Sequence, residues 1–327
     1  MNSDSRRRST GLIFFAVMLA LAGLRIASSF IFTTSSDNDI DMIYTSISQL
    51  FCMGALPIIL YYFLILKNEG RPFKDIFVDL GYKRKAKLSP KVIIVSVLCI
   101  IPMFFLTIGI SGIWQGILSI FGFTNISSVG TIFNGYTDLF KWLFFIAILP
   151  ACFEELTFRG VMLNGYENES PRTIIFISAL TFALMHENIQ QFGYAFVGGI
   201  IMASFSYRSR SIFPAMILHF GNNALSQIIS YSSQMQGPIS NMIDKFFDFY
   251  NSFAIAILLM IVWFGIFAGF IKISKYFDKW TATANGYVPE ISQPLRIKFN
   301  RNDIFLYSGI ILSGISTIFT LIWGLSR

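Results

Sequence analysis

Apolar residues in this chain gather in long unbroken stretches instead of alternating with polar ones. The stretches cover about 11–32, 44–66, 92–114, 140–163, 173–186, 194–207, 212–230, 250–271 and 304–325. A helix rises 1.5 Å per residue, so about 20 such residues cross a hydrocarbon core about 30 Å thick. Lipid offers bare backbone no hydrogen-bond partner, and the stretches are far longer than barrel strands, so the spans are α-helices. The pattern predicts an all-α, polytopic membrane helix bundle with about nine transmembrane helices, one integral membrane domain over residues 1–327. The stretches 173–186 and 194–207 are short enough to expect shelter inside the bundle. The third run stays apolar to residue 123, which predicts a hairpin or half-helix continuing through Phe121.

Composition agrees with this picture. Of 327 residues, 54% are hydrophobic and 13% charged, whereas a soluble domain carries about 25% charged residues. A disordered chain, a secreted disulfide scaffold and an ordinary cytosolic enzyme are excluded. Cys52, Cys99 and Cys152 all lie in apolar stretches and read as small hydrophobes.

The net charge of +7 does not indicate a nucleic-acid partner, because the basic residues sit in short loops between apolar runs. Arg6, Arg7 and Arg8 precede the first run, and Asp37, Asp39 and Asp41 follow it. The next loop holds Lys67, Arg71, Lys74, Lys83, Arg84, Lys85, Lys87 and Lys91. Arg208 and Arg210, and later Lys272, Lys275, Lys279, Arg296, Lys298 and Arg301, recur at alternate loops. The opposite loops offer little beyond Lys141 and Lys245. This alternation predicts a cytoplasmic N-terminus and an external C-terminus. Arg6–Arg8 and Ala27-Ser28-Ser29 also suit a signal peptide, but the apolar run to Phe32 is longer than an h-region, so an uncleaved first helix is expected. Residues 73–82 mix apolar and charged positions near helical spacing, as expected of a segment along the cytoplasmic interface.

Ionisable residues inside apolar helices are costly and mark function by default. Here they are Arg25, Glu154, Glu155, Arg159, His186 and His219, with Asn222 and Asn223 as uncharged additions. Arg25 lies near the end of its helix, where it is expected to snorkel or meet a partner. Glu155 and Arg159 stand i,i+4 in the favourable order for an ion pair. Glu154 lies 100° round the helix, so it stays available as a proton acceptor. The chain has two histidines. His186 follows Phe182 by one turn, and His219 shares a helix face with Asn223. Counted inward from the basic ends, Glu154, His186 and His219 lie roughly 15, 21 and 12 Å deep. They are therefore expected to share one site on the cytoplasmic side of mid-bilayer. On chemistry alone the set suits water activation by a carboxylate, or a zinc site of Glu154, His186 and His219 with an open fourth position.

The ordered motifs Glu154-Glu155 with Arg159, Phe182 with His186, and His219 with Asn223 resemble those of the CPBP intramembrane proteases. That family includes the type II CAAX prenyl endopeptidases and the Abi, or bacteriocin-processing, proteins. The resemblance covers roughly residues 140–230, the family's helical core, and Thr157 stands where a large apolar residue is common. It implies peptide-bond hydrolysis in a membrane cavity open toward the cytoplasm. It makes Glu154 the base that activates water and His186 a group that orients that water. His219 and Asn223 would donate to the oxyanion, while Glu155, Arg159 and Phe182 support them. It implies no cofactor, with zinc as the alternative.

Two other classes compete. One is a non-catalytic membrane immunity or scaffold protein, since a fold does not guarantee an activity. The other is a proton-relay transporter, for which no inverted repeat is visible. The expected partners are a membrane-delivered peptide or protein substrate, prenylated CAAX or leader peptide, and the bilayer. Compact length and minimal loops favour a bacterial plasma-membrane protein. Gly265 and Gly269 form a GxxxG that offers a helix-packing face without defining an oligomeric state.

Overall fold

The computed structural model describes residues 1–31, 38–81, 87–125, 132–235, 238–286 and 300–326. Asp37, Lys83, Arg84, Lys85, Arg296 and Lys298, used above for orientation, lie outside them, as do the side chains of Asp39 and Asp41. Every regular element among the described residues is helical. We label them α1 (Ser3–Ile31), α2 (38–69), α3 (90–120), α4 (136–165), α5 (Pro171–Met185), α6 (Ile189–Ser209), α7 (Phe213–Gln234), α8 (Pro238–Tyr250), α9 (253–285) and α10 (Ile304–Leu325).

Each predicted apolar run coincides with helix along most of its described length, and the chain is an all-α polytopic bundle. Among the described residues five stretches are long and apolar enough by themselves to cross a membrane: Ser3–Ser28, Met42–Glu69, Ile100–Ile120, Met260–Asn285 and Arg301–Leu325. The helices α4 to α7 are absent from that set for a physical reason: they are short or carry buried polar residues, and neighbours shelter them. The run 92–123 departs from expectation. Two helical segments, Pro90–Leu98 and Ile100–Ile120, meet at Cys99, and no hairpin forms. Pro102 has no N–H for the carbonyl of Leu98, which permits the interruption, and Gly122 at φ +86° turns the chain after the helix ends.

Helices α1 and α10 pair along one flank, while α6 lies centrally against α3, α5 and α9. Helix α7 crosses α3, α4 and α6, and α4 leans on α2. Phe14, Phe158, Phe205 and Phe277 are fully buried between these layers. The approach of α5 to α6 is so close that a Cβ on Gly199 would lie 3.1 Å from the Cα of Ala179. A larger residue would push the two helices apart. The GxxxG face of α9 is different, because nothing lies within 4 Å of a Cβ built at Gly265 or Gly269.

The basic ends of the helices are knitted by charge. Arg6 reaches Glu69 at 3.0 Å, Asp79 at 3.3 Å and the side chain of Asn164. Arg71 grips Asp79 with two nitrogens, each at 2.7 Å. Arg7 holds Asp303 and Glu169, tying α1 to α10 and to the turn after α4. Asp79 lies outside the spans. Burial works to raise its pKa, but the Arg71 hydrogen bonds and the charges of Arg71 and Arg6 outweigh it and hold the carboxyl below the ordinary value. Phe73 and Phe77, in the short helical turns 73–79 beside Lys74, are exposed.

Candidate active site

Helix α4 is irregular where the chemistry sits. Wide, π-type turns at Leu143–Ile148 and Leu156–Met162 flank Glu154 and Glu155, and such turns occur often at functional sites. Pro150 lies between them and has no N–H for the carbonyl of Ile146, four residues earlier. Asn223 of α7 repairs that loss: its Nδ2 donates to the Ile146 carbonyl at 2.9 Å. One amide hydrogen is therefore committed to backbone, which leaves Asn223 a second for a ligand.

Helix α5 begins with Ser170 as cap, its hydroxyl accepting from Thr173 N–H at 3.2 Å, and Pro171 follows in the first turn. It ends at His186, whose Nδ1 lies 3.0 Å from the Phe182 carbonyl. A carbonyl only accepts, so Nδ1 carries the proton and Nε2 is left for the cavity. Glu187 then turns the backbone at φ 49°, and Asn188 caps α6 by accepting from Gln190 N–H at 2.9 Å.

Glu155 is wholly buried and works as a double acceptor. Its Oε1 takes Arg159 Nη1 at 2.9 Å and His219 Nδ1 at 2.8 Å. Arg159 also donates to the Gly199 carbonyl at 3.3 Å and lies 4.3 Å above the Phe182 ring. Phe182 presents its edge or face to both imidazoles, at 5.1 Å from His186 and 5.7 Å from His219. Since the Glu155 carboxylate fixes Nδ1 of His219 as the donor, Nε2 faces Glu154, 3.8 Å from its Oε2. The other oxygen of Glu154 accepts from Gln49 Nε2 at 2.7 Å.

Glu154, His186, His219 and Asn223 line one cavity of about 580 Å³ together with Gln49 and Tyr194. Glu155 and Arg159 stand behind its wall. Among the described residues no three His, Cys, Asp or Glu side chains cluster tightly enough to hold a metal ion. Each histidine does keep one nitrogen on an oxygen acceptor and the other toward the cavity, an orientation that suits either water or a metal.

Three polar residues escaped sequence reasoning. Gln49 is buried on α2, and its carbonyl oxygen has no hydrogen-bond partner among the described residues. Glu187 is 1% exposed and is the partner of Arg25, at 3.1 Å. Thr107 of α3 donates to Asn222 at 2.8 Å. A search for charges inside apolar runs passes over Gln49 and Thr107 because both are neutral. Glu187 falls just past the fifth run, where it reads as loop.

A helical membrane bundle that gathers buried carboxylates and imidazoles around one cavity has the makings of an intramembrane enzyme. The family model for type II CAAX prenyl endopeptidase Rce1-like proteins matches residues 136–225, from the start of α4 into α7. The match supports a CPBP family protein, and that family suggests CAAX-type intramembrane protease activity. No curated protein and no solved structure matches the chain.

Proposed function

We propose that the chain is a membrane endopeptidase in which Glu154 activates water to hydrolyse a peptide bond. The observation that carries this reading is the Glu154–His219–Glu155 relay, a carboxylate facing an imidazole that a second, buried carboxylate orients. Glu154 takes a proton from water, and the water oxygen forms a bond to the peptide carbonyl carbon. The bare Nε2 of His186 accepts a hydrogen bond from the other O–H of that water, which stays on its oxygen, and aligns the attack. In this reading His219 and the free amide hydrogen of Asn223 are the donors to the developing oxyanion. When the C–N bond breaks, Glu154 passes its proton to the leaving nitrogen.

The zinc alternative uses Glu154, His186 and His219 as ligands, and the two histidine orientations are what favour it. Turnover by purified protein before and after exhaustive chelation separates the two. The metal-free reading requires activity to survive; loss on chelation with recovery on added zinc sinks it. Glu154→Gln tests hydrolysis itself, since it keeps shape but cannot take the proton, and cleavage at the parent rate would remove the base.

A further inference from the structure

A second cavity, of about 390 Å³, lies between α5, α6 and α9 and shares no residue with the one at Glu154. Its wall at the basic ends takes one cation from each helix: Arg172 in the first turn of α5, Arg208 in the last turn of α6, and Lys275 of α9. Deeper in, the wall is apolar, made by Ile175, Phe176, Ile200 and Ile271, all half-buried. From Arg208 to Ile200 it runs about 12 Å along α6, from the end of the helix into the span. Ser204 and Ser274 also line it, but each hydroxyl donates back to its own helix, to the carbonyls of Ile200 at 2.7 Å and Ile271 at 2.8 Å. Their hydrogens are spent on backbone, and the deep wall keeps its apolar character.

The charge in this cavity is unbalanced. Arg208 Nη1 pairs with Asp278 at 3.5 Å, and its Nε is buried without a hydrogen-bond partner among the described residues. Arg172 and Lys275 are exposed and have no ion-pair partner among the described residues, and no Asp or Glu is among the described residues lining the cavity. Two uncompensated cations remain, beside the positive end of the α5 dipole. The other cavity at the basic ends, of about 340 Å³, differs. Asp79, Glu167 and Asp278 line it together with Arg159 and Arg210, so its charge selects no anion.

We infer that the groove between α5, α6 and α9 binds an anionic phospholipid, its phosphate held by Arg172, Arg208 and Lys275 and the start of an acyl chain laid over Ile200 and Ile271. Arginine presents paired N–H groups that match phosphate oxygens, and lysine adds a point charge. Basic pockets between membrane helices hold anionic headgroups by this means. A free phosphate would leave the apolar wall uncovered, and an uncharged lipid would leave two cations without a counter-charge.

Purified protein in neutral detergent, titrated with phosphatidylglycerol and with phosphatidylcholine of the same acyl chains, tests this, with bound lipid counted by native mass spectrometry. The expected result is one tightly held phosphatidylglycerol per chain and no matching phosphatidylcholine. Each Lys or Arg near an anionic lipid is worth about 5-fold in affinity, so Arg172→Gln and Lys275→Gln should each loosen binding by that factor and together by about 30-fold. Lys279→Gln removes an exposed charge of α9 outside the cavity and should leave the affinity at the parent value. Ile271→Trp fills the apolar wall and should expel the lipid with all three cations in place. Equal binding of the two lipids would overturn the inference. So would equal loss in Lys279→Gln and Lys275→Gln, the mark of diffuse attraction, or displacement by equimolar glycerol phosphate, the mark of a phosphate site that needs no chain. The substituted positions are exposed or half-buried, and thermal unfolding checks that each variant is folded.

Discussion

Gln49 and Glu154 stand 105 positions apart in the chain and meet through a hydrogen bond of 2.7 Å inside the bundle. A carboxylate cannot donate, so the amide NH₂ must face Glu154, and the amide oxygen of Gln49 is left without a partner beside the cavity. An unsatisfied buried acceptor is costly to keep, and a water or a substrate N–H would relieve it. Gln49→Leu preserves bulk and removes both functions. A hydrogen bond to a charged group contributes about 1.5–3 kcal/mol, so kcat should fall about 10- to 100-fold with KM little changed. Steady-state kinetics on folded variant protein decide it. An unchanged kcat would reduce Gln49 to packing.

Glu154 and Glu155 should fail in different ways. For Glu154→Gln the loss of general-base catalysis is expected to cost about 10²–10⁴-fold in rate while thermal unfolding in detergent stays near the parent. Glu155→Gln leaves Arg159 buried with its partner weakened, and one-sided loss of a buried pair costs about 3–5 kcal/mol. It also releases Nδ1 of His219 from the acceptor that fixes its proton, so the protein that does fold should turn over slowly. Equal stability of the two variants would contradict the division of roles.

The Arg71–Asp79 pair gives stability a pH dependence. The folded carboxyl titrates below its ordinary value because Arg71 and Arg6 outweigh the burial that opposes them. A depressed folded pKa contributes stability that is complete above the unfolded value, about 3.9, and disappears as pH falls through the folded one. Unfolding midpoints of the detergent-solubilised protein should therefore drop below about pH 4 in part through this group. Asp79→Asn should lower the unfolding free energy at neutral pH by about 1–3 kcal/mol and flatten the acid limb. A parallel acid limb in the variant would assign the effect to other carboxylates.

The elements most legible in the sequence were those set by a single strong term. Hydrocarbon thickness fixes span length, so the apolar runs from 11–32 to 304–325 coincide with helix along most of their described length. The i,i+4 geometry fixes Glu155 against Arg159 before any tertiary contact is known. Relations that depend on a third helix were not legible. Nothing local to Glu155 indicates that the same oxygen receives His219, because that bond requires α4 and α7 to cross at one height. Gln49 lies on α2, outside residues 140–230, and neither charge nor spacing connects it to Glu154. The length of the run 92–123 suggested a hairpin or half-helix through Phe121, whereas helix runs to Ile120 with an interruption at Cys99, near the N–H missing at Pro102.

Asn223 carries the sharpest test of how α4 is built. The resemblance to the proteases makes it an oxyanion donor, while the structure shows one of its amide hydrogens on the Ile146 carbonyl that Pro150 leaves free. Asn223→Ala therefore removes a donor from the cavity and strands a carbonyl on its wall, and the stranded group should cost about 1–3 kcal/mol. Pro150→Ala restores an N–H one turn below Ile146, so the helix can close that bond by itself. In a double-mutant cycle the stability loss from Asn223→Ala should shrink in the Pro150→Ala background, whereas its effect on kcat should persist. Thermal unfolding and turnover of the four proteins separate the two roles. Coupling in both stability and kcat would mean that Asn223 acts only by shaping α4; coupling in neither would remove the Ile146 bond from the account of the site.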